Sequence, residues 1–168
     1  MLLKNARVMT SDFKLVKTDV LIENSIIRSI GKHSGTCDDV HDLDGHLLLP
    51  GLIDIHIHGC AGYDTCDATL EAIEGISSYL IRQGVTSFCP TTMTVPVEEI
   101  EKTLINIKAC IDEPPKGAEI LGVNMEGPYI AVCRKGGQNA EFVRKPDWDE
   151  FQRLFEISGG IVKIVNIA

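Results

Sequence analysis

Pro50-Gly51-Leu52-Ile53-Asp54-Ile55-His56-Ile57-His58-Gly59 is the stretch that decides how the chain folds. From Ile53 onward apolar and polar residues alternate strictly, and a β-strand sends successive side chains to opposite faces. Asp54, His56 and His58 therefore share one face of a strand, and Ile53, Ile55 and Ile57 share the other. An all-isoleucine back predicts packing on a hydrophobic layer, with the polar front lining a cavity. Two imidazoles two residues apart on a strand stand about 6–7 Å apart, close enough to grip one cation. An isolated His-x-His pair reads first as a chance occurrence on a solvated edge. The apolar alternate face and the Pro-Gly entry turn this one toward a pair of metal ligands.

Downstream, the pattern changes to strand, helix, strand, helix. Leu70, Ile73, Ile76 and Leu80 recur at helical spacing within Thr69–Gln83, and Gly84 stands where a left-handed cap ends a helix. Val85 to Pro90 reads as a second strand. Val97, Ile100, Leu104, Ile107 and Ile111 then mark a second helix, opened by Pro96 with Glu98 and Glu99 in its first turn and stopped by Pro114-Pro115. A third strand is predicted over Ile120 to Glu126. Asp147 as N-cap and Glu150 three residues on begin a third helix with an apolar stripe of Trp148, Phe151, Leu154 and Phe155, and Ile161 to Ile167 reads as a fourth strand. Four strands and three intervening helices in βαβαβαβ order imply parallel strands with right-handed crossovers, in an open sheet or in the first half of a (β/α)8 TIM-type barrel. Polar residues at the strand ends favour the half-barrel, because such barrels carry their chemistry there. His56 and His58 end the first strand, Thr91 and Thr92 follow the second, and Glu126 ends the third. Thr91 and Thr92 read as hydroxyls that steady turns or neighbours, since neither has an adjacent base. Glu126 alone reads equally as a surface carboxylate at a loop entry, but with two imidazoles it completes the N/O donor set that Zn²⁺ or Fe²⁺ accepts.

Residues 1–49 read differently. Leu2 to Met9, Asp19 to Glu23 and Ile26 to Ile30 are short β-rich runs, and Asn24-Ser25 predicts a tight hairpin. This β-rich segment is too small to stand alone and is expected to be part of a β-layer completed by something else. Residues 50–168 would form the barrel portion.

Of 168 residues, 44% are hydrophobic and 24% charged, as in ordinary globular proteins, and the formal net charge of −8 argues against a nucleic-acid partner. There is no apolar run long enough for a transmembrane helix and no secretory signal pattern, so no membrane association and a cytoplasmic location are expected. The six cysteines show no C-x-x-C pair and are expected to be reduced, mostly buried side chains, with Cys60 beyond the Gly59 break and not a ligand. Arg134 and Lys135 read either as an anion-attracting pair or as a solvated basic loop.

Three segments carry a resemblance: Pro50-Gly-Leu-Ile-Asp-Ile-His-Ile-His-Gly, Gly84-Val-Thr-Ser-Phe-Cys-Pro-Thr-Thr, and Asn124-Met-Glu-Gly-Pro-Tyr-Ile with Lys135-Gly-Gly-Gln-Asn. Together they resemble the N-acetylglucosamine-6-phosphate deacetylases of the amidohydrolase superfamily, over essentially the whole chain. His-x-His marks only the superfamily, whereas Met-Glu-Gly-Pro with the Lys-Gly-x-x-Asn loop is more specific. The resemblance implies a small β-sandwich domain ahead of the barrel and a hydrolase that uses one or two divalent metal ions, Zn or Fe, to remove acetate from a sugar phosphate. It makes Glu126 a metal ligand and His56 and His58 the pair that binds a further metal in some members. Gly137 and Gln138 fall where the family's loop meets the sugar, and many members carry histidine where this chain has Gln138. The family's proton-transferring aspartate and two further metal-binding histidines match nothing in these 168 residues, so the chain is expected to be inactive alone, and a homodimer is implied for the complete enzyme. Another amidohydrolase acting on a cyclic amide, or a short non-catalytic protein associating through an open barrel edge, are the competing expectations.

Overall fold

The computed structural model describes residues 1–168, which divide into two compact units, Met1–Pro50 and Gly51–Ala168. In the first unit β1 (Leu2–Met9), β2 (Leu15–Glu23), β3 (Ile26–Ile30) and β4 (Val40–Asp42) form a sheet in the order β3-β2-β1-β4, and β5 (Leu47–Leu48) also pairs with β1. The hairpin β2–β3 turns on Asn24 and Ser25, both at positive φ (52° and 61°), the backbone that a two-residue turn between twisted strands requires. β2 starts four residues earlier than its apolar run predicts, because Leu15 to Thr18 pair with Met9 to Ala6 although Lys17 and Thr18 break the pattern. Only Leu2, Ala6 and Val20 are buried apolar residues here, a core too thin for independent stability.

The second unit holds β6 (Leu52–Ile57), a short hairpin of β7 (Gly59–Cys60) and β8 (Tyr63–Asp64), then α1 (Leu70–Arg82), β9 (Val85–Pro90), α2 (Val97–Asp112), β10 (Glu119–Ile120), β11 (Val123–Glu126), α3 (Trp148–Ile157) and β12 (Val162–Asn166). The architecture is mixed α/β. Parallel pairs run β6–β9, β9–β10 and β11–β12, and a parallel bridge from Thr91 to Asn124 carries the strand sequence from β9 to β11. Thr69 caps α1 by accepting from the Ala72 N–H, and Asp147 caps α3 by accepting from the Glu150 N–H. Ile73, Ile76 and Leu80 from α1 meet Ile100, Leu104 and Ile107 from α2 over Phe88, Val123 and Met125, so the apolar helical stripes become one core. No helix of the chain is long and apolar enough to cross a membrane.

Three expectations change. The third strand is broken in two: β10 pairs with β9, Gly122 takes φ +143°, and β11 then pairs with β12. Ile53 and Ile55 are not backed by a hydrophobic layer; they are 61% and 57% exposed, because β6 is an edge strand and α1 packs on β8 and β9. The apolar stripe of α3 is buried fully only at Leu154, and Trp148 remains 71% exposed.

Candidate metal centre

His56 lies near the carboxyl end of β6, His58 follows one residue after it, and Glu126 is the last residue of β11. β9 is the strand through which these two are joined. Glu126 Oε2 is 2.7 Å from His56 Nε2 and 2.9 Å from His58 Nε2, so one carboxylate oxygen faces both imidazoles. The three candidate ligand atoms lie within 4.8 Å of one another. The rings stand edge to face with centroids 5.2 Å apart, slightly closer than strand geometry alone suggests. Two imidazole nitrogens and a carboxylate oxygen converging from separate strands suit a divalent ion of the Zn or Fe type.

Thr91 braces the pair. Its N–H donates to Ile57 O (2.8 Å), its Oγ1 accepts from the Ile57 N–H (3.0 Å) and donates to Cys89 O (3.2 Å), and it is fully buried. Its carbonyl is 3.3 Å from His58 Nδ1. With the proton at Nδ1 donated there, Nε2 keeps its lone pair free for a cation, an arrangement typical of metal-binding histidines. Thr92 donates from Oγ1 to Glu126 O (3.4 Å) and from its N–H to Asn124 O (3.1 Å), steadying the end of β11.

Gly137 and Gln138 lie on the loop between β11 and α3. Gln138 is buried, and its Oε1 accepts from the Thr94 N–H at 2.6 Å. That contact ties the loop to the turn after β9. Lys135 donates from Nζ to the carbonyls of Gln138 (2.7 Å) and Gly136 (3.2 Å), so its ammonium is held by the loop. A side chain built at Gly137 would meet no atom within 4 Å, which leaves that backbone open to a ligand. Cys60 stands apart from the cluster, and burial first, then Asp54, pushes its thiol above the ordinary value. All six cysteines are free; Cys89 and Cys110 are buried and Cys133 is exposed.

Two further polar groupings reach out from the Asn124-to-Ile130 segment. Tyr129, almost fully buried, donates to Glu150 Oε1 (2.8 Å), which also accepts from Arg144 Nε (2.9 Å). Burial, followed by the bond to Glu150, pushes the Tyr129 phenol well above its ordinary value. Asn124 and Asn166 form the other, an amide pair joined by a bond from Asn166 Nδ2 to Asn124 Oδ1. Their sequence signal is an asparagine standing where apolar strand residues are expected.

An amidohydrolase family model matches residues 47–168. The chain is 42% identical over 125 residues to the N-acetylglucosamine-6-phosphate deacetylase of Bacillus subtilis (strain 168), covering 73% of this chain and 32% of that protein. It is 30% identical over 170 residues to the enzyme of the same name from Lysinibacillus sphaericus, covering 100% of this chain and 44% of that protein. The solved N-acetylglucosamine-6-phosphate deacetylase from Thermotoga maritima superposes with a TM-score of 0.74 at 30% identity, over 90% of this chain and 39% of that one. The chain thus spans less than half the length of these relatives.

Proposed function

The chain belongs to the amidohydrolase family, and we propose that it is the N-terminal portion of a metal-dependent hydrolase that deacetylates N-acetylglucosamine 6-phosphate. The convergence of His56, His58 and Glu126 on one point carries this reading. These three residues would hold a divalent ion, Zn or Fe, as one of the one or two ions of the complete enzyme. A divalent ion in such a site lowers the pKa of water to about 7 and polarises an amide carbonyl, the two requirements for splitting an acetamide. This chain's own residues do the holding. Glu126 supplies the anionic oxygen, Thr91 O orients His58 through Nδ1, and the Thr92 contact fixes the backbone at Glu126. The loop bearing Gly137 and Gln138 would meet the sugar. Gly137 offers unobstructed backbone, while Gln138, through Thr94, holds the loop in register. The carboxylate that moves the proton lies, in this reading, outside these 168 residues.

The same proposal makes residues 50–168 the first half of a (β/α)8 barrel and residues 1–49 part of a small β-sandwich domain. Strands in chain order, parallel and alternating with α1 to α3, support the half-barrel, as do the exposed apolar residues on β6 and the bare Ile167 just past β12. A cytoplasmic location and pairing of two copies of the complete protein complete the reading. Acetate release from N-acetylglucosamine 6-phosphate, measured with Zn²⁺ or Fe²⁺ on a protein of the relatives' full length that carries this sequence, tests it. Metal-dependent turnover is expected there and none from the 168 residues alone. An inactive full-length protein with metal demonstrably bound would refute the substrate, and turnover by the short chain would refute the missing proton carrier.

A further inference from the structure

His56 sits on a piece of β6 that the sheet does not hold. Pairing between β6 and β9 runs through Asp54 with Phe88 and resumes at Ile57 with Pro90, with a register shift between them, so Ile55 and His56 have no ladder partner. Side chains hold the Ile55–His56 peptide instead. Its N–H donates to Asp54 Oδ1 (3.0 Å), and its carbonyl, Ile55 O, accepts from Asn124 Nδ2 (2.8 Å). Asn124 is 2% exposed and lies two residues before Glu126 on β11. Its side chain therefore reaches from the strand that carries the carboxylate to the peptide that carries the imidazole.

The amide can point only one way. Ile55 O is an acceptor, so Asn124 must present its nitrogen to it and its oxygen to the other side. There Oδ1 accepts from Asn166 Nδ2 at 2.6 Å, and the Asn166 nitrogen also lies 3.4 Å from Met125 O, a second acceptor that fixes the orientation of Asn166. The result is a chain of donors from β12 through β11 to β6. An uncompensated buried amide costs about 1–3 kcal/mol, so an asparagine at a core-facing strand position needs such partners to be tolerated.

We propose that Asn124 is a positioning residue. By donating to Ile55 O it holds His56 against Glu126 and so sets how tightly the pair grips a metal, and Asn166 keeps the Asn124 amide aimed. The metal part of this inference rests on the function proposed above. His58 has its own brace in Thr91 O, which meets Asn124 only through the backbone, so it does not depend on the Asn124 side chain.

Asn124→Leu keeps the size of the side chain and removes the donor. In the 168-residue chain, Zn²⁺ affinity measured by competition with a chromophoric chelator is expected to fall about 10- to 100-fold, the usual consequence of losing a residue that orients a ligand. Long-range proton–nitrogen spectra of the imidazoles, recorded without metal, add a second readout. His56 is expected to give one sharp set of signals in the wild type and broadened or doubled signals in the variant, with His58 unchanged. A variant that is merely less stable, with Zn²⁺ affinity and His56 signals like wild type, overturns the proposal. If Asn124→Leu does not fold, Asn166→Ala frees the same amide from its other end and should produce a smaller change confined to the same histidine. Unchanged His56 signals there are equally fatal. A wild-type chain that binds no Zn²⁺ would sink the metal reading alone, and the metal-free spectra would still decide the role of Asn124.

Discussion

Replacing Glu126 with alanine removes the one anionic donor that faces both imidazoles. Without metal the substitution should matter little. His56 is 46% exposed and Glu126 23%, and a contact so open to water contributes about 0.2–1 kcal/mol. At about 2–4 °C per kcal/mol for a chain of this size, the metal-free melting temperature should drop by no more than about 4 °C. With metal the difference should be large. Loss of a residue that only supports a ligand weakens metal sites about 10- to 100-fold, so loss of a ligand itself should weaken this one by at least about 100-fold. At a free Zn²⁺ concentration about 100 times the wild-type Kd, binding stabilises the wild type by about 2.7 kcal/mol, whereas a 100-fold weaker variant gains about 0.4 kcal/mol. Those energies become rises of about 5–11 °C for the wild type and about 1–2 °C for Glu126→Ala. Thermal denaturation at matched Zn²⁺ concentrations, followed by circular dichroism, reads the difference directly. Equal metal-induced rises in the two proteins would show that Glu126 holds no metal, and the proposed centre would have to be abandoned.

Two further predictions concern the scaffold. Tyr129→Phe should cost about 1 kcal/mol at neutral pH through loss of the bond to Glu150. Because burial raises the Tyr129 phenol in the folded chain, the folded state keeps its proton where the unfolded chain begins to lose it, at the ordinary value of 10.0. The stability this contributes is complete below that pH and declines above it, so urea-unfolding curves of wild type and Tyr129→Phe should converge as pH rises past it; a constant gap would argue against the buried phenol. Leu154→Ala empties the only fully buried position of α3 and should cost about 2–5 kcal/mol in urea unfolding, and a loss under 1 kcal/mol would mean that α3 is not docked through Leu154.

Helices were the legible part of the fold, for a physical reason. Ile73, Ile76 and Leu80 in α1 and Ile100, Leu104 and Ile107 in α2 repeat at the helical period, and each set is buried as one stripe. Thr69, Asp147 and the glycines at 84 and 159, both at positive φ, mark ends that backbone chemistry requires. Strands were less legible because a strand is finished by its neighbours. The apolar run from Ile120 onward gives no sign that its pairing transfers from β9 to β12 at Gly122, and the isoleucines of β6 cannot announce that no layer covers them. The stripe of α3 places the helix but not its burial: Leu154 is fully buried, whereas Trp148, beside Phe151 with ring centroids 5.8 Å apart, stays 71% exposed.

The site divides along the same line. His56 and His58 could be placed on one face because a strand's period of two is local. Their meeting with Glu126, 68 residues beyond His58 in the numbering, follows from parallel strands sharing their carboxyl ends, so topology predicted the encounter without its geometry. What topology cannot supply is the support between strands. Thr91 reads in the sequence as a steadying hydroxyl, but its partner, the backbone of Ile57, and that of Asn124, the carbonyl of Ile55 where β6 leaves its ladder, emerge only in the fold. A buried asparagine two residues before a candidate ligand is nevertheless a readable anomaly. It has to be satisfied by something, and here its donor goes to the backbone of the strand that carries the other candidate ligands. Sequence reading of such sites therefore gains most by asking what each misplaced amide is bonded to, since that partner ties the residues that bind to the residues that aim them.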